Sequence, residues 1–153
     1  MRGNQVFVTA GYGAGCKSFT VGPDNAITEL YRNGNLENHH GGAILVGDYV
    51  YAHSKNGWTC LDFKTGEPKW TEKKLGKGSI ACADGMFYLL DEKSGQCVLI
   101  EASPESWNEK GRFKLDPQST VRNRQGGIWT HPVISNGRLY LRDQDLIHCY
   151  AVK

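Results

Sequence analysis

A polar turn followed by an alternating strand recurs four times along the chain, and that recurrence limits the fold more than any other feature. The four copies are Asn4-Gln5-Val6-Phe7-Val8, Gly47-Asp48-Tyr49-Val50-Tyr51, Asp84-Gly85-Met86-Phe87-Tyr88 and Asn136-Gly137-Arg138-Leu139-Tyr140. With Val6, Tyr49, Met86 and Arg138 taken as equivalent, the steps between copies are 43, 37 and 52 residues. A period of this size marks stacked supersecondary units that cannot bury their apolar faces alone. Asp-Gly and Asn-Gly suit two-residue hairpins because both central residues take positive φ. Each turn therefore joins the strand before it to the strand after it.

The second unit is the most legible. Gly42–Val46 is a short apolar strand and Tyr49–His53 its hairpin partner. Asn56-Gly57 turns the chain into Trp58–Phe63, and Thr65-Gly66 turns it again into Lys69–Thr71. That predicts four antiparallel strands in a meander. The third unit predicts strands at 79–83, 86–90, 97–101 and 111–115, with a helical turn at 103–107 capped by Ser103 and opened by Pro104. Residues 116–127 read as an exposed polar loop. The last unit predicts strands at 130–134, 138–141 and 146–152. The first predicts three, at 6–10, 16–21 and 27–32. Both outer units lack one strand of the set of four, and an unpaired edge with an apolar face invites association. The expectation is that both ends take a partner, either more chain of the same protein or a second copy.

Within this frame Cys60-Leu61-Asp62-Phe63-Lys64-Thr65-Gly66-Glu67-Pro68-Lys69-Trp70 is the densest stretch. Asp62 can accept hydrogen bonds from the turn backbone, and Gly66 tolerates positive φ. Pro68 sits where a strand starts and its missing N–H costs least. Trp70 offers a large apolar face with one polar handle.

Composition adds limits. A net charge of +2 is too small to imply a nucleic-acid partner or a membrane surface. No apolar run approaches the roughly 18–20 residues of a spanning helix. The N-terminal residues enter a strand pattern without the zones of a signal peptide, so either the setting is cytoplasmic or the natural start lies elsewhere. The five cysteines (Cys16, Cys60, Cys82, Cys97 and Cys149) show no metal-type spacing. They read as small buried hydrophobes on equivalent strands, with a disulfide framework as the alternative.

Meanders of four strands repeating about every 40 residues are the signature of β-propeller blades. Leu61-Asp62-x-x-Thr65-Gly66-x-x-x-Trp70 resembles the tryptophan docking motif of the quinoprotein, or pyrroloquinoline quinone (PQQ)-binding-like, β-propeller repeats. In that family the Trp docks onto the next blade. Asp48-Tyr49-Val50-Tyr51-Ala52 is similar to the family's second-strand pattern, and Tyr31 stands where the first unit would carry its Trp. The resemblance implies an all-β fold: a partial β-propeller of about three and a half four-stranded antiparallel blades, in one domain over 1–153. Its parts would be a blade remnant at 4–32, blades at 42–71 and 79–115, and a three-stranded blade at 129–152. The chain is similar to the C-terminal half of propellers of the outer-membrane assembly scaffold-like kind, which implies a periplasmic or cell-surface setting.

Family members that are dehydrogenases hold the quinone at the axis with a disulfide between adjacent cysteines, a calcium ion held by Glu, Asn and Asp, and an Asp base. No adjacent cysteines occur here, and no acidic residue falls on a predicted first strand. The resemblance therefore implies no catalytic residue, no resident metal and no cofactor; PQQ with calcium belongs to the alternative, a fragment of a PQQ-dependent alcohol or sugar dehydrogenase. First strands line a propeller axis, which would gather His39, His40, Lys77, Ser79, Trp129 and His131 at one face. Aromatic, imidazole and ammonium groups in one ring can hold a peptide, a glycan or an anionic ligand. The plainer reading makes His39 and His40 loop residues bonding backbone, with Gly41-Gly42 as a close turn. His53 and His148 read as structural histidines. Lys73, Lys74, Lys77, Arg122 and Arg124 read as solvated loop charges rather than a nucleic-acid surface. No nucleophile elbow or phosphate loop is present, and Gly11-Tyr12-Gly13-Ala14-Gly15 lies between strands, without a helix N-terminus to hold phosphate. The functional expectation is a non-enzymatic module binding protein or glycan through its axial face or an open strand edge.

Overall fold

The computed structural model describes residues 1–122 and 126–152. Its strands form four separate antiparallel sheets. The first holds β1 (Gln5–Ala10), β2 (Gly15–Val21) and β3 (Ile27–Asn33). The second holds β4 (Ala43–Val46), β5 (Tyr49–Ser54), β6 (Gly57–Asp62) and β7 (Pro68–Glu72). The third holds β8 (Gly78–Ala83), β9 (Met86–Asp91), β10 (Gln96–Glu101) and β11 (Glu109–Lys114). The fourth holds β12 (Val133–Ser135), β13 (Arg138–Asp143) and β14 (Leu146–Ala151). Each sheet is a simple meander, and β4 and β12 both lie beside β8. Those neighbours place the leading strands innermost. The chain is an all-β partial β-propeller, 54% strand.

Local chemistry sets the hairpins. Asp84 and Gly85 both take positive φ (50° and 72°), as do Asn136 and Gly137 (50° and 69°), the primed geometry that matches strand twist. Two expectations fail. The predicted strand at 130–134 shortens to 133–135, because Thr130 leaves the ladder: its carbonyl accepts the Ser79 hydroxyl at 2.7 Å and its own hydroxyl donates to Arg142 O at 2.7 Å. The helical turn at 103–107 does not form. Ser103 Oγ accepts the Glu105 N–H at 3.2 Å, as a cap would, but Trp107 is drawn into the seam with Trp70 instead.

Stability lies between the sheets, as in other stacked repeats. Cys16, Val50, Ala52, Leu61 and Phe63 fill the first seam. Tyr51, Trp58, Cys60, Phe87, Leu89 and Ile100 fill the second, and Leu90, Cys97, Leu139 and Leu141 the third. β6 is buried on both faces, so it reads as a continuous apolar run rather than an alternating one. Each linker between sheets also drops one aliphatic side chain into a seam: Leu36 (0% exposed), Leu75 (4%) and Ile128 (1%). Burying each contributes roughly 1.5–3 kcal/mol, and each pins the loop that follows it.

The outer strands carry the joints. Trp70 on β7 donates its indole N–H to Ser103 O at 3.0 Å, in the next sheet. Tyr31 on β3 does the same with its hydroxyl, to Phe63 O at 3.0 Å. Phe113 on β11 packs against Tyr150 at 4.6 Å between ring centres. Within the stretch around Trp70, Leu61 is fully buried. Asp62 Oδ1 accepts the Lys64 and Thr65 N–H groups, both at 2.9 Å, and Thr65 Oγ accepts Glu67 N–H at 3.3 Å. Gly66 has φ +75°, and a Cβ there would lie 2.6 Å from the Tyr31 ring. That glycine serves both the turn and the joint with the first sheet.

All five cysteines are free thiols on separate strands. Cys16, Cys60 and Cys97 are buried as expected, and burial pushes Cys60 up to about 11 and Cys97 up to about 12. Cys82 and Cys149 are exposed instead, since their strands present that face away from the seams.

Candidate functional site

The linkers between sheets and the connections between second and third strands emerge at one end of the arc. Leu36, Leu75 and Ile128 anchor those linkers, and the residues just after them carry the polar chemistry. His39 and His40 follow Leu36, Lys77 follows Leu75, and Trp129 and His131 follow Ile128. The structure brings these five side chains into one network. Lys77 Nζ lies 2.9 Å from His39 Nδ1, and His39 Nε2 bonds the Tyr12 hydroxyl. His131 donates through Nε2 to His40 O at 3.0 Å. Four rings run in a row: Tyr12 to His39 at 4.8 Å, His39 to His40 at 5.0 Å, His40 to Trp129 at 5.6 Å. Ser79 is not part of the surface; it is buried and tied to Thr130.

Backbone approach makes the row possible. A Cβ on Gly41 would lie 1.9 Å from Gly78 O, and one on Gly42 (φ +84°) 2.9 Å from the His131 ring. The close turn expected at Gly41-Gly42 thus seats one linker against the next. Tyr12, with φ 60°, holds its ring 91% exposed at the tip of the glycine-rich loop. Trp129 is 52% exposed.

The residue that sequence reasoning missed is Glu92. Its side chain, 9% exposed, accepts from His40 Nε2 at 2.7 Å and lies 3.5 Å from Lys77 Nζ. It stands on the connection between β9 and β10, not on a first strand. The signal was present: Leu90-Asp91-Glu92-Lys93-Ser94-Gly95 repeats the pattern of Leu61-Asp62-Phe63-Lys64-Thr65-Gly66. Asp91 Oδ1 accepts the Lys93 and Ser94 N–H groups at 2.8 and 2.6 Å, the same turn as Asp62 makes. The residue after the aspartate points inward in both, and a glutamate in a place that elsewhere takes phenylalanine marks chemistry rather than packing.

Two further histidines differ. His53 lines the depression of about 440 Å³ shared by Tyr12, His39 and Lys77. Burial, and then the Lys77 charge, push it down to about 4. His148 lies on β14, stacked with Tyr150 at 6.2 Å. Of the basic loop residues, Lys74 pairs with Glu72 at 3.7 Å and Arg122 with the fully buried Asp143 at 2.6 Å. Arg124 lies outside the described residues.

The thiols sit on separate strands, and of the buried carboxylates of this face Glu92 is engaged by His40 and Lys77 and Asp143 by Arg122. Among the described residues no group of three or more His, Cys, Asp or Glu converges as a metal cradle.

No protein-family model and no curated protein matches the chain. Solved structures do resemble it. BamB from Moraxella catarrhalis aligns with 97% of this chain and 40% of its own length, at 16% identity and a TM-score of 0.65. KlHsv2 with loop 6CD replaced by a Gly-Ser linker aligns with 97% of this chain and 45% of its own, at 11% identity and a TM-score of 0.55. The chain spans less than half the length of either. At these identities the likeness is one of fold: the arc is a β-propeller.

Proposed function

We propose that the chain is a non-enzymatic β-propeller module that binds a protein partner across its axial face. The observation that carries this reading is the row of four rings from Tyr12 to Trp129, set over the buried Glu92 and its bonds to His40 and Lys77. Exposed aromatics fixed on a rigid polar base are what protein contact surfaces use as anchors. The resemblance of residues 61–70 to quinoprotein-like repeats and the fold likeness to BamB support the scaffold class and a periplasmic or cell-surface setting. Among the described residues β1 and β14 each have one ladder neighbour. Those edges suit strand addition by further blades or a second copy.

The test is site-specific photocrosslinking in cells. A benzophenone amino acid at position 129 is expected to trap a defined protein, whereas the same probe at position 67, on the opposite end of the arc, traps none. Identical adduct patterns from both positions, or a glycan in place of a protein at 129, would sink the reading. Dye-linked alcohol oxidation after addition of PQQ and calcium would replace it with the dehydrogenase alternative.

A further inference from the structure

Trp129 is shared by two depressions, of about 470 and about 440 Å³, that meet at Gly126 and Gly127. Arg142 lines the first and Lys93 the second. Three other cations of this face are already neutralised: Lys55 by Glu37 at 3.2 Å, Lys77 by Glu92 at 3.5 Å and Arg122 by Asp143 at 2.6 Å. Among the described residues Lys93 and Arg142 pair with no carboxylate, and both are exposed. An exposed indole thus stands between two positive charges that no described carboxylate pairs with.

We infer that this part of the axial face takes an acidic peptide segment of the partner, with carboxylates on either side of an apolar side chain. The apolar group packs on Trp129, and the flanking carboxylates meet Lys93 and Arg142. Arg142 offers a planar fork to a carboxylate and Lys93 a point charge. The glycines between the depressions carry no side chains, so the peptide backbone can come close. The charges are exposed, so they contribute more to selection and encounter rate than to raw affinity. This inference rests on the protein-binding reading above and sharpens it to a class of sequence.

Labelled synthetic peptides test it by fluorescence anisotropy on the full chain. One carries Asp-Phe-Asp, one Asn-Phe-Asn and one Lys-Phe-Lys at the same positions. At about 50 mM salt the acidic peptide is expected to bind at least about tenfold more tightly than the Asn peptide, and the margin should collapse at about 500 mM, where screening is stronger. Lys93→Gln and Arg142→Gln should each weaken the acidic peptide about threefold and leave the Asn peptide unchanged; Lys64→Gln, at the opposite end, should alter neither. Equal affinities for the three peptides, binding to none, or tighter binding of heparin than of the acidic peptide overturns the acidic assignment. If crosslinks from position 129 persist in that case, the protein-binding reading stands by itself. If they are lost as well, both fall.

Discussion

At Leu61–Gly66 and at Leu90–Gly95 the chain makes the same turn. In each the aspartate holds two backbone N–H groups, the hydroxyl residue accepts a third, and glycine closes the loop back to the aspartate carbonyl. The turns sit at opposite ends of the arc, because one joins third to fourth strands and the other second to third. At the first, Phe63 (2% exposed) fills the seam between two sheets, and its carbonyl takes the Tyr31 hydroxyl. At the second, Glu92 occupies the same corner and reaches His40 and Lys77. One backbone device therefore seals the ring at one end and supports a polar surface at the other. The side chain after the aspartate decides which.

The largest test exchanges the two chemistries. Phe63→Glu places a carboxylate in the first seam, where the Arg2 guanidinium lies 5.9 Å from the present ring centre, and should cost at least the roughly 3–5 kcal/mol of Phe63→Ala, read as a fall in the urea midpoint. Glu92→Leu should cost less, roughly 1–3 kcal/mol, since it leaves the half-buried His40 Nε2 without its acceptor but puts no new charge in a seam. Its effect belongs on the surface, as a loss of crosslinking from position 129. If Glu92→Leu unfolds the chain as severely as Phe63→Glu, the two corners are not equivalent and the comparison breaks.

A smaller effect separates the aspartates. Burial by itself would raise the Asp62 carboxyl, but the Thr65 and Lys64 N–H groups outweigh it and hold it below the usual carboxylate range. Asp62 stays partly in water, whereas Asp91 is 6% exposed. Asp91→Ala should therefore cost about 2 kcal/mol and Asp62→Ala about 1 kcal/mol, because only the former leaves its turn N–H groups away from solvent. Equal losses in denaturant unfolding would mean that burial of the turn does not matter.

The sequence makes the sheet order legible because hairpin chemistry is local: Asp84-Gly85 and Asn136-Gly137 specify their turns without tertiary help. It also brings His39, His40, Lys77, Trp129 and His131 together, since each sits just before the point where a linker enters an inner strand. What it does not make legible depends on contacts far along the chain. Glu92 is reached only by knowing that a second-to-third connection shares an end with those linkers. The missing helical turn at 103–107 follows from Trp107 meeting Trp70, 6.2 Å between ring centres. Cys149 and Cys82 differ from their buried counterparts because burial comes from a neighbouring sheet, which strand position does not reveal.

The finest test follows proton uptake at His53, on the polar side of the comparison. Burial pushes its pKa down from 6.5 to about 4, with Lys77 pushing the same way and Glu92 opposing. Between those values the unfolded chain binds a proton that the folded chain does not, so stability present above about pH 6.5 is lost as the pH falls toward 4. His53→Gln should flatten that part of the stability profile, leaving the loss at lower pH that comes from depressed carboxyls such as Glu37, held down by the Gly13 N–H and by Lys55. Glu92→Leu removes the one nearby charge that counters Lys77 most, so His53 should titrate lower still when followed by its ring proton resonance. A rise instead would mean that Lys77 swings away once its carboxylate is gone. The polar network would then be held together by Glu92 rather than by the linkers that deliver its members.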